Sequence, residues 1–430
     1  MSEVAEYPRG SCALGGANTV LSSLNRVIPI YHSGPGCPMQ TSAGEQGVAG
    51  LRMPASACSV SIPLSNMLER EVVFGGIDRL RGTIEGALEI YDADAFFVLT
   101  GCTAGIIGDD VTSLVSEFQQ EGAPVYAVDT PGFLGESYRG YEIAFNALLD
   151  QIVQPTAAAD KDPRLVNLLG IVPYHDPFWE GTFEEFTRIL EQLGLTVNTF
   201  FTREQGIDVV RHSSAAALNI ILSPWLLNRF ERGFRDTFGV PTLRWPGVPL
   251  GATDTSAFIR AVGAALALDD ELVEQVIYEE ERYLYHYFET AIDTLNWKRF
   301  AVVGNANSVI AFTRFLANDY SFTPLVAIVT DPLFRDEDFA SITRQLTELE
   351  YARPPKVVFL QDQYLIAQEL ATHPEISLLI GGSLDREIAE DLDAQFLQAL
   401  YPINDRLIFN RTYFGYRGAL SFIEDLYDDL

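Results

Sequence analysis

Apolar residues along this chain fall in short runs, each closed by small or turn-forming residues and followed by a stretch of helical spacing. VIPIYH (27–32), AFFVLTG (95–101) and PVYAVDT (124–130) are such runs, and the last ends in the turn PGF. Runs of this length rich in β-branched and aromatic residues read as buried strands, and the stretches between them as helices. Strand, loop and helix in alternation predict a parallel sheet covered by helices, with functional loops at the carboxyl ends of the strands.

The same pattern then restarts twice. PTAAADKDP (155–163) is small, polar and flanked by prolines, as linkers are; VNLLGIVPY then reads as a strand, FEEFTRILEQLG as a helix and LTVNTFFT as the next strand. From 253 to 295 the chain reads as mostly helical, and its stripe of Tyr and Phe at helical spacing is expected to pack in the core. RFAVVGNANSVIAFTRFLA (299–317) opens a third unit, which PLVAIVTD, KVVFLQD and ISLLIGG continue. GNANS is neither GxGxxG nor a P-loop, so it reads as a tight strand-to-helix crossover. The expectation is an α/β protein of three doubly wound, Rossmann-like domains, at 1–154, 155–295 and 296–430.

Composition agrees with that division. A chain of 430 residues exceeds one hydrophobic core, and the length prior gives about three domains of ~150 residues. Apolar residues at 47% and charged residues at 20% describe a globular chain. A net charge of -30 without a basic run disfavours nucleic acid and anionic lipid. The start MSEVAEYPRGS lacks the regions of a signal peptide, and no apolar stretch is long enough for a membrane span, so a cytoplasmic protein is expected.

All four cysteines, Cys12, Cys37, Cys58 and Cys102, lie in the first quarter of the chain. In a reducing compartment this points to metal or redox use. Cys12, Cys37 and Cys102 each sit on a loop leading into a helix, where backbone N–H groups and the helix dipole favour a thiolate. Spacings of 25, 21 and 44 residues do not fit the paired cysteines of zinc fingers. Three similar cysteines leave an iron-sulfur cluster one ligand short, to be supplied by Cys58 or by another chain. Cys58, in ASACSVSI, lacks the loop-to-helix setting and reads equally as a packed thiol or a ligand. Gly15, Gly34, Gly36 and Gly101 are candidates for close backbone approach to a cluster, with turn geometry the plainer explanation. Glu69 and Glu71 are expected to be exposed, and Asp109 and Asp110 to cap the helix that follows them.

Four stretches carry a resemblance. SCALGGANTVLSSLNRVIPIYHSGPGC, EREVVFGGIDRL, TGCTAGIIGDDV and DTPGF resemble, in order and spacing, the amino-terminal domain of nitrogenase component 1 proteins, and the likeness runs on to RTYFGYRGALSFIEDL. The resemblance implies three Rossmann-like domains and an α2β2 assembly fed by a homodimeric, ATP-hydrolysing iron protein. It also implies that Cys12, Cys37 and Cys102 ligate one half of an [8Fe-7S] P-cluster between two unlike subunits. Catalytic α-type chains of the family carry a further Cys and a His in their second half. This chain has no cysteine after Cys102, and His175, His212, His286 and His373 sit in no matching context, so it resembles a β-type subunit.

Two departures bear on the enzyme. In the molybdenum nitrogenase β subunit the position of Gly132 is a Ser that can ligate the oxidised cluster, and that subunit has a long arm before the first cysteine. The chain is therefore expected to serve a nitrogenase-like reductase, with methylthio-alkane reductase, which cleaves C–S bonds in small thioethers, the best fit. Alternatives are a cofactor-maturation scaffold, a nitrogenase proper, and a protochlorophyllide reductase-like subunit with a [4Fe-4S] cluster.

Overall fold

The computed structural model describes residues 8–41, 44, 47–50, 62–202, 205–291 and 297–428. Among these residues twelve strands form three sheets, and every pairing between them is parallel. The first holds β1 (Val27–His32), β2 (Ala95–Thr100) and β3 (Val125–Val128) in sequential order. The second holds β4 (Asp162–Leu169), β5 (Thr196–Asn198), β6 (Ala216–Leu222) and β7 (Thr242–Trp245), ordered β5-β4-β6-β7. The third, made of β8 (Arg299–Gly304), β9 (Thr323–Val329), β10 (Lys356–Phe359), β11 (Leu378–Gly381) and β12 (Gln395–Gln398), is ordered β10-β9-β8-β11-β12. The second and third sheets thus reverse strand order at β4/β6 and β8/β11, as doubly wound sheets do. β1 and β2 are buried at every position because helices cover both faces, which is why their sequences are continuous apolar runs rather than alternating ones.

One apolar core runs through all three units, from Leu14 and Phe145 through Phe183 and Phe258 to Phe312 and Phe422. The last helix, Gly415–Asp428, crosses back from the third sheet to the helices of the middle unit. Its Tyr416 hydroxyl lies 2.8 Å from Ser256 Oγ, and the Arg417 N–H donates to Glu185 Oε1 at 3.1 Å.

GNANS forms a crossover. Asn305 caps the Ala306–Asn318 helix by accepting from the Ser308 N–H at 3.0 Å, and the Ala306 N–H donates to Asp331 at 2.5 Å. The protein's own carboxylate therefore occupies the helix start where a nucleotide phosphate would bind. Asp176 and Asp331 both lie buried at this junction of the second and third units. Asp176 accepts from Val172 N–H and Asn305 Nδ2, and Asp331 from Ala306 N–H and Trp225 Nε1. Burial pushes Asp176 up to about 6, and burial together with the charge of Asp176 pushes Asp331 up to about 7. Between roughly pH 4 and 7 the folded chain therefore keeps protons that the unfolded chain releases, so the pair's contribution to stability is lost as pH rises. In urea melts, wild type is expected to lose more stability over that window than Asp331→Asn. Equal slopes would remove the pair from the pH response.

Two expectations need correction. The tyrosines of the Asp270–Ala291 helix are not core: Tyr278, Tyr283, Tyr285 and Tyr287 are exposed, and Val273, Val276, Ile277, Leu284 and Phe288 are buried instead. Helical spacing shows that a helix has two faces without showing which one the rest of the chain covers. The stretch 155–163 is not all linker, because β4 begins at Asp162.

Candidate functional site

Because β1, β2 and β3 are parallel, their following loops emerge on one edge. β1 ends at His32 and leads through Ser33 and Gly34 into the Gly36–Thr41 helix, which carries Cys37. β2 ends at Thr100; Gly101 caps the Cys102–Ile107 helix, and Cys102 is its first residue. β3 leads to the turn at Gly132–Leu134. Cys12 arrives from outside the sheet as the cap of the Ala13–Ser22 helix. It is held by a bridge to Glu136 and by the Ala13 N–H donating to Gly135 O at 2.8 Å.

The loops are tied to one another. Gly101 N–H donates to His32 O at 2.9 Å, Thr130 N–H to Thr100 Oγ1 at 2.9 Å, and Thr100 Oγ1 to Asp129 at 2.8 Å. The result is convergence on Gly132: a Cβ built there would stand 3.0 Å from Cys102 Sγ and 3.2 Å from Cys12 Sγ. Cys37 is close enough to feel both neighbours' charges. Burial pushes its thiol up, Ser33 opposes this by a hydrogen bond, and the Cys12 and Cys102 charges add to the rise. Thiolate stabilisation at each helix start is therefore overridden at Cys37, because a helix of six residues offers less than burial and mutual repulsion cost.

That electrostatic picture fits a polynuclear iron guest. Three thiols that repel each other as anions need positive charge among them, and Gly132 leaves the space beside two of them open. Among the described residues no three Cys, His, Asp or Glu side chains converge closely enough to hold a single metal ion. Cys102 is exposed and Cys12 and Cys37 are half-buried, so the set is open on one side. Exposed apolar side chains lie on the same segments: Met39 on the Cys37 helix, Ile106 on the Cys102 helix and Phe133 in the Gly132 turn, with Val72, Val73 and Phe74 on the Glu69–Phe74 helix that touches the Cys102 helix.

The remaining candidates are placed as follows. Gly101 packs against Ser33, whose Cβ would lie 2.5 Å from a Cβ on Gly101, whereas Gly36 faces open space and Gly34 makes ordinary contact with Met67. Cys58 lies outside the described residues. Glu69 is exposed but Glu71 is not. Its carboxylate accepts from the Leu68 N–H at 3.0 Å and pairs with Arg79 at 2.8 Å, and the Leu68 bond first, then Arg79, hold it below the usual carboxylate range. Asp110 caps its helix through the Ser113 N–H at 3.1 Å, but Asp109 does not; it turns inward to His32 Nε2 at 2.8 Å. His32 itself was not singled out in the sequence, where it closes an apolar strand and looks like a core histidine.

The later histidines form no comparable centre. His175 is packed among Tyr138, Tyr141 and Tyr401, and burial pushes it down to about 3. It borders a cavity of about 20 Å³, far smaller than a ligand pocket of a few hundred Å³. His212 bonds to Asp208 O, His286 meets Tyr287 edge to face and His373 pairs with Glu369. A wider groove, about 740 Å³, runs along the Asp270–Ala291 helix beside Tyr283 and Arg417, and none of Cys12, Cys37 and Cys102 lines it.

The family described as Nitrogenase component 1 type Oxidoreductase matches residues 12–430. The chain belongs to this family. It is 24% identical to the nitrogenase molybdenum-iron protein beta chain of Sinorhizobium fredii, covering 98% of this chain and 83% of that one. It is also 24% identical to the nitrogenase iron-iron protein beta chain of Rhodobacter capsulatus (98% and 93% covered). To the nitrogenase iron-molybdenum cofactor biosynthesis protein NifE of Clostridium pasteurianum it is 23% identical (97% and 86% covered). A solved structure described as nitrogenase Cp1 at pH 6.5 superposes with a TM-score of 0.82 at 20% identity, covering 100% of this chain and 93% of that one, which establishes the shared fold. As a nitrogenase component 1 family member the chain is an oxidoreductase-type subunit. Among its described residues no helix is long and apolar enough to cross a membrane.

Proposed function

We propose that this chain is the β-type subunit of a nitrogenase-like reductase and that Cys12, Cys37 and Cys102 hold half of an [8Fe-7S] P-cluster shared with an α-type subunit. The observation that carries the reading is the meeting of the Cys12 and Cys102 thiols at the backbone of Gly132, with Cys37 near enough to feel both, on loops that also carry exposed apolar side chains. An incomplete ligand set on an apolar face calls for a partner that both covers it and supplies the rest. When bound, such a cluster takes up and passes on single electrons.

This chain's residues do the rest of the work. Cys12, Cys37 and Cys102 supply thiolates, Gly132 leaves the space between two of them clear, and Met39, Ile106 and Phe133 exclude water around the joint. The substrate centre belongs to the α-type partner, since His175 adjoins too small a cavity and no cysteine follows Cys102. The assembly is an α2β2 heterotetramer working in the cytoplasm and supplied by a homodimeric, ATP-dependent iron protein. With Gly at 132, its chemistry is assigned to nitrogenase-like C–S bond reduction of the methylthio-alkane reductase kind. A second reading, a cofactor-maturation scaffold, is favoured by the 23% identity to NifE over nearly the whole chain.

The test is anaerobic co-purification with the neighbouring α-type chain, followed by iron and sulfide analysis and turnover with dimethyl sulfide and the iron protein. About eight irons per αβ pair bound by these cysteines, with turnover, supports the reading. About four indicates a [4Fe-4S] site of the protochlorophyllide reductase kind, and cluster without turnover on any substrate favours the scaffold.

A further inference from the structure

Beneath the cysteine loops lies a buried chain of hydrogen bonds with a fixed direction. The Ser33 N–H donates to Ser65 Oγ at 3.2 Å, and Ser65 Oγ lies 3.0 Å from His32 Nδ1. His32 Nε2 lies 2.8 Å from Asp109 Oδ2, and the Gly76 N–H donates to both Asp109 oxygens at 2.9 and 3.2 Å. The His32 side chain is fully buried and that of Asp109 nearly so. Burial lowers the basicity of His32 by more than Asp109 restores it, so the ring is neutral and carries one proton. Asp109 can only accept, so that proton sits on Nε2 and Nδ1 accepts from the Ser65 hydroxyl. Each group has one role, and reversing any would leave a buried donor or acceptor unpaired.

Both ends of this chain reach the segments that carry the thiols. Ser33 bonds to the Cys37 thiol and packs against Gly101, the residue before Cys102; His32 O accepts from the Gly101 N–H at 2.9 Å. At the other end Asp109 follows the Cys102–Ile107 helix, and its own N–H bonds back to Ala104 O at 3.3 Å.

We propose that His32 and Asp109 are positioning residues that set the Cys37 loop and the Cys102 helix at the separation their shared guest requires. An apolar side chain at 32 would fill the same sheet edge, but it would take the ring partner from the buried Asp109 and Ser65 and let the two loops move independently. The identity of the guest rests on the function proposed above. The arrangement of the thiols does not.

The test uses the full-length chain without metal and, separately, the anaerobic αβ pair. In the chain alone, iodoacetamide alkylation of Cys37, followed by peptide mass spectrometry, is expected to speed up about tenfold in His32→Leu as the loop opens locally. His32→Gln, which can donate to Asp109 through its amide, is expected to stay within about threefold of wild type, and circular dichroism to match in all three. Asp109→Asn, which keeps the shape, serves as a second variant should His32→Leu fail to fold; Cys37 alkylation is expected to speed up there as well. In the pair, His32→Leu is expected to shift the cluster's midpoint potential and broaden its EPR signal, with His32→Gln nearer wild type. Wild-type Cys37 alkylation in folded His32→Leu or Asp109→Asn, or equal loss in the Leu and Gln variants, overturns the positioning role. Absence of cysteine-bound iron in the wild-type pair overturns the cluster assignment and leaves the alkylation result standing.

Discussion

Alanine in place of Gly140 is expected to shift the denaturant midpoint strongly downward and to displace Cys12. The Ala13–Ser22 and Ser137–Gln151 helices cross with their backbones in contact: a Cβ on Gly140 would stand 2.1 Å from Ala13 O and 2.6 Å from Ala17 N. From the other side, a Cβ on Gly16 would stand 2.0 Å from Ser137 O. These obstacles are backbone atoms, which cannot rotate away, so the helices must separate. Overpacking of a core costs ~1–3 kcal/mol, and a clash between backbones belongs at or above the upper end. That is a large share of the ~5–15 kcal/mol that holds a typical domain. Because Cys12 caps one of the two helices, separation also moves a thiol away from Gly132. Chemical denaturation followed by circular dichroism measures the loss, and a midpoint within error of wild type would show that the helices can slide past each other.

The second large effect concerns the thiols themselves. Cys102→Ala is expected to abolish cysteine-bound iron in the αβ pair while leaving the isolated chain folded. Cys102 is exposed, so truncating it removes little packing. Gly132→Ser is expected to act differently. Its new Cβ would lie 3.0 Å from Cys102 Sγ and 3.2 Å from Cys12 Sγ, so the thiols must yield by a few tenths of an ångström, and an added hydroxyl then stands within reach of the same guest. Iron should be retained, and an oxidation-linked change in EPR signal that wild type lacks should appear. Redox titration of both proteins makes the comparison. A serine-type structural shift already present in wild type would sink the assignment of that role to residue 132.

Much of the candidate site was legible because its markers are local. Cys12, Cys37 and Cys102 announce themselves by the loop-to-helix setting of each, and the turn PGF stands at a strand end like two of them. Asp109 and His32 were not legible, since nothing in a sequence distinguishes a helix-capping aspartate from one that turns inward to a histidine 77 residues away. Glu71 was misjudged for the same reason: its partner Arg79 lies beyond a glycine turn, on the next helix.

Periodicity and chain order determined the alternation of strands and helices, the three parallel sheets and the loops that carry the cysteines, because each depends on which residues within a few positions are apolar. Tertiary structure alone decided that the Cys12 and Cys102 thiols meet at Gly132 with Cys37 near both, that the tyrosine face of the Asp270–Ala291 helix looks outward, and that Asp176 and Asp331 share one buried junction. Those facts depend on which surfaces of distant segments come together, and burial, mutual charge and backbone contact act only after they have met.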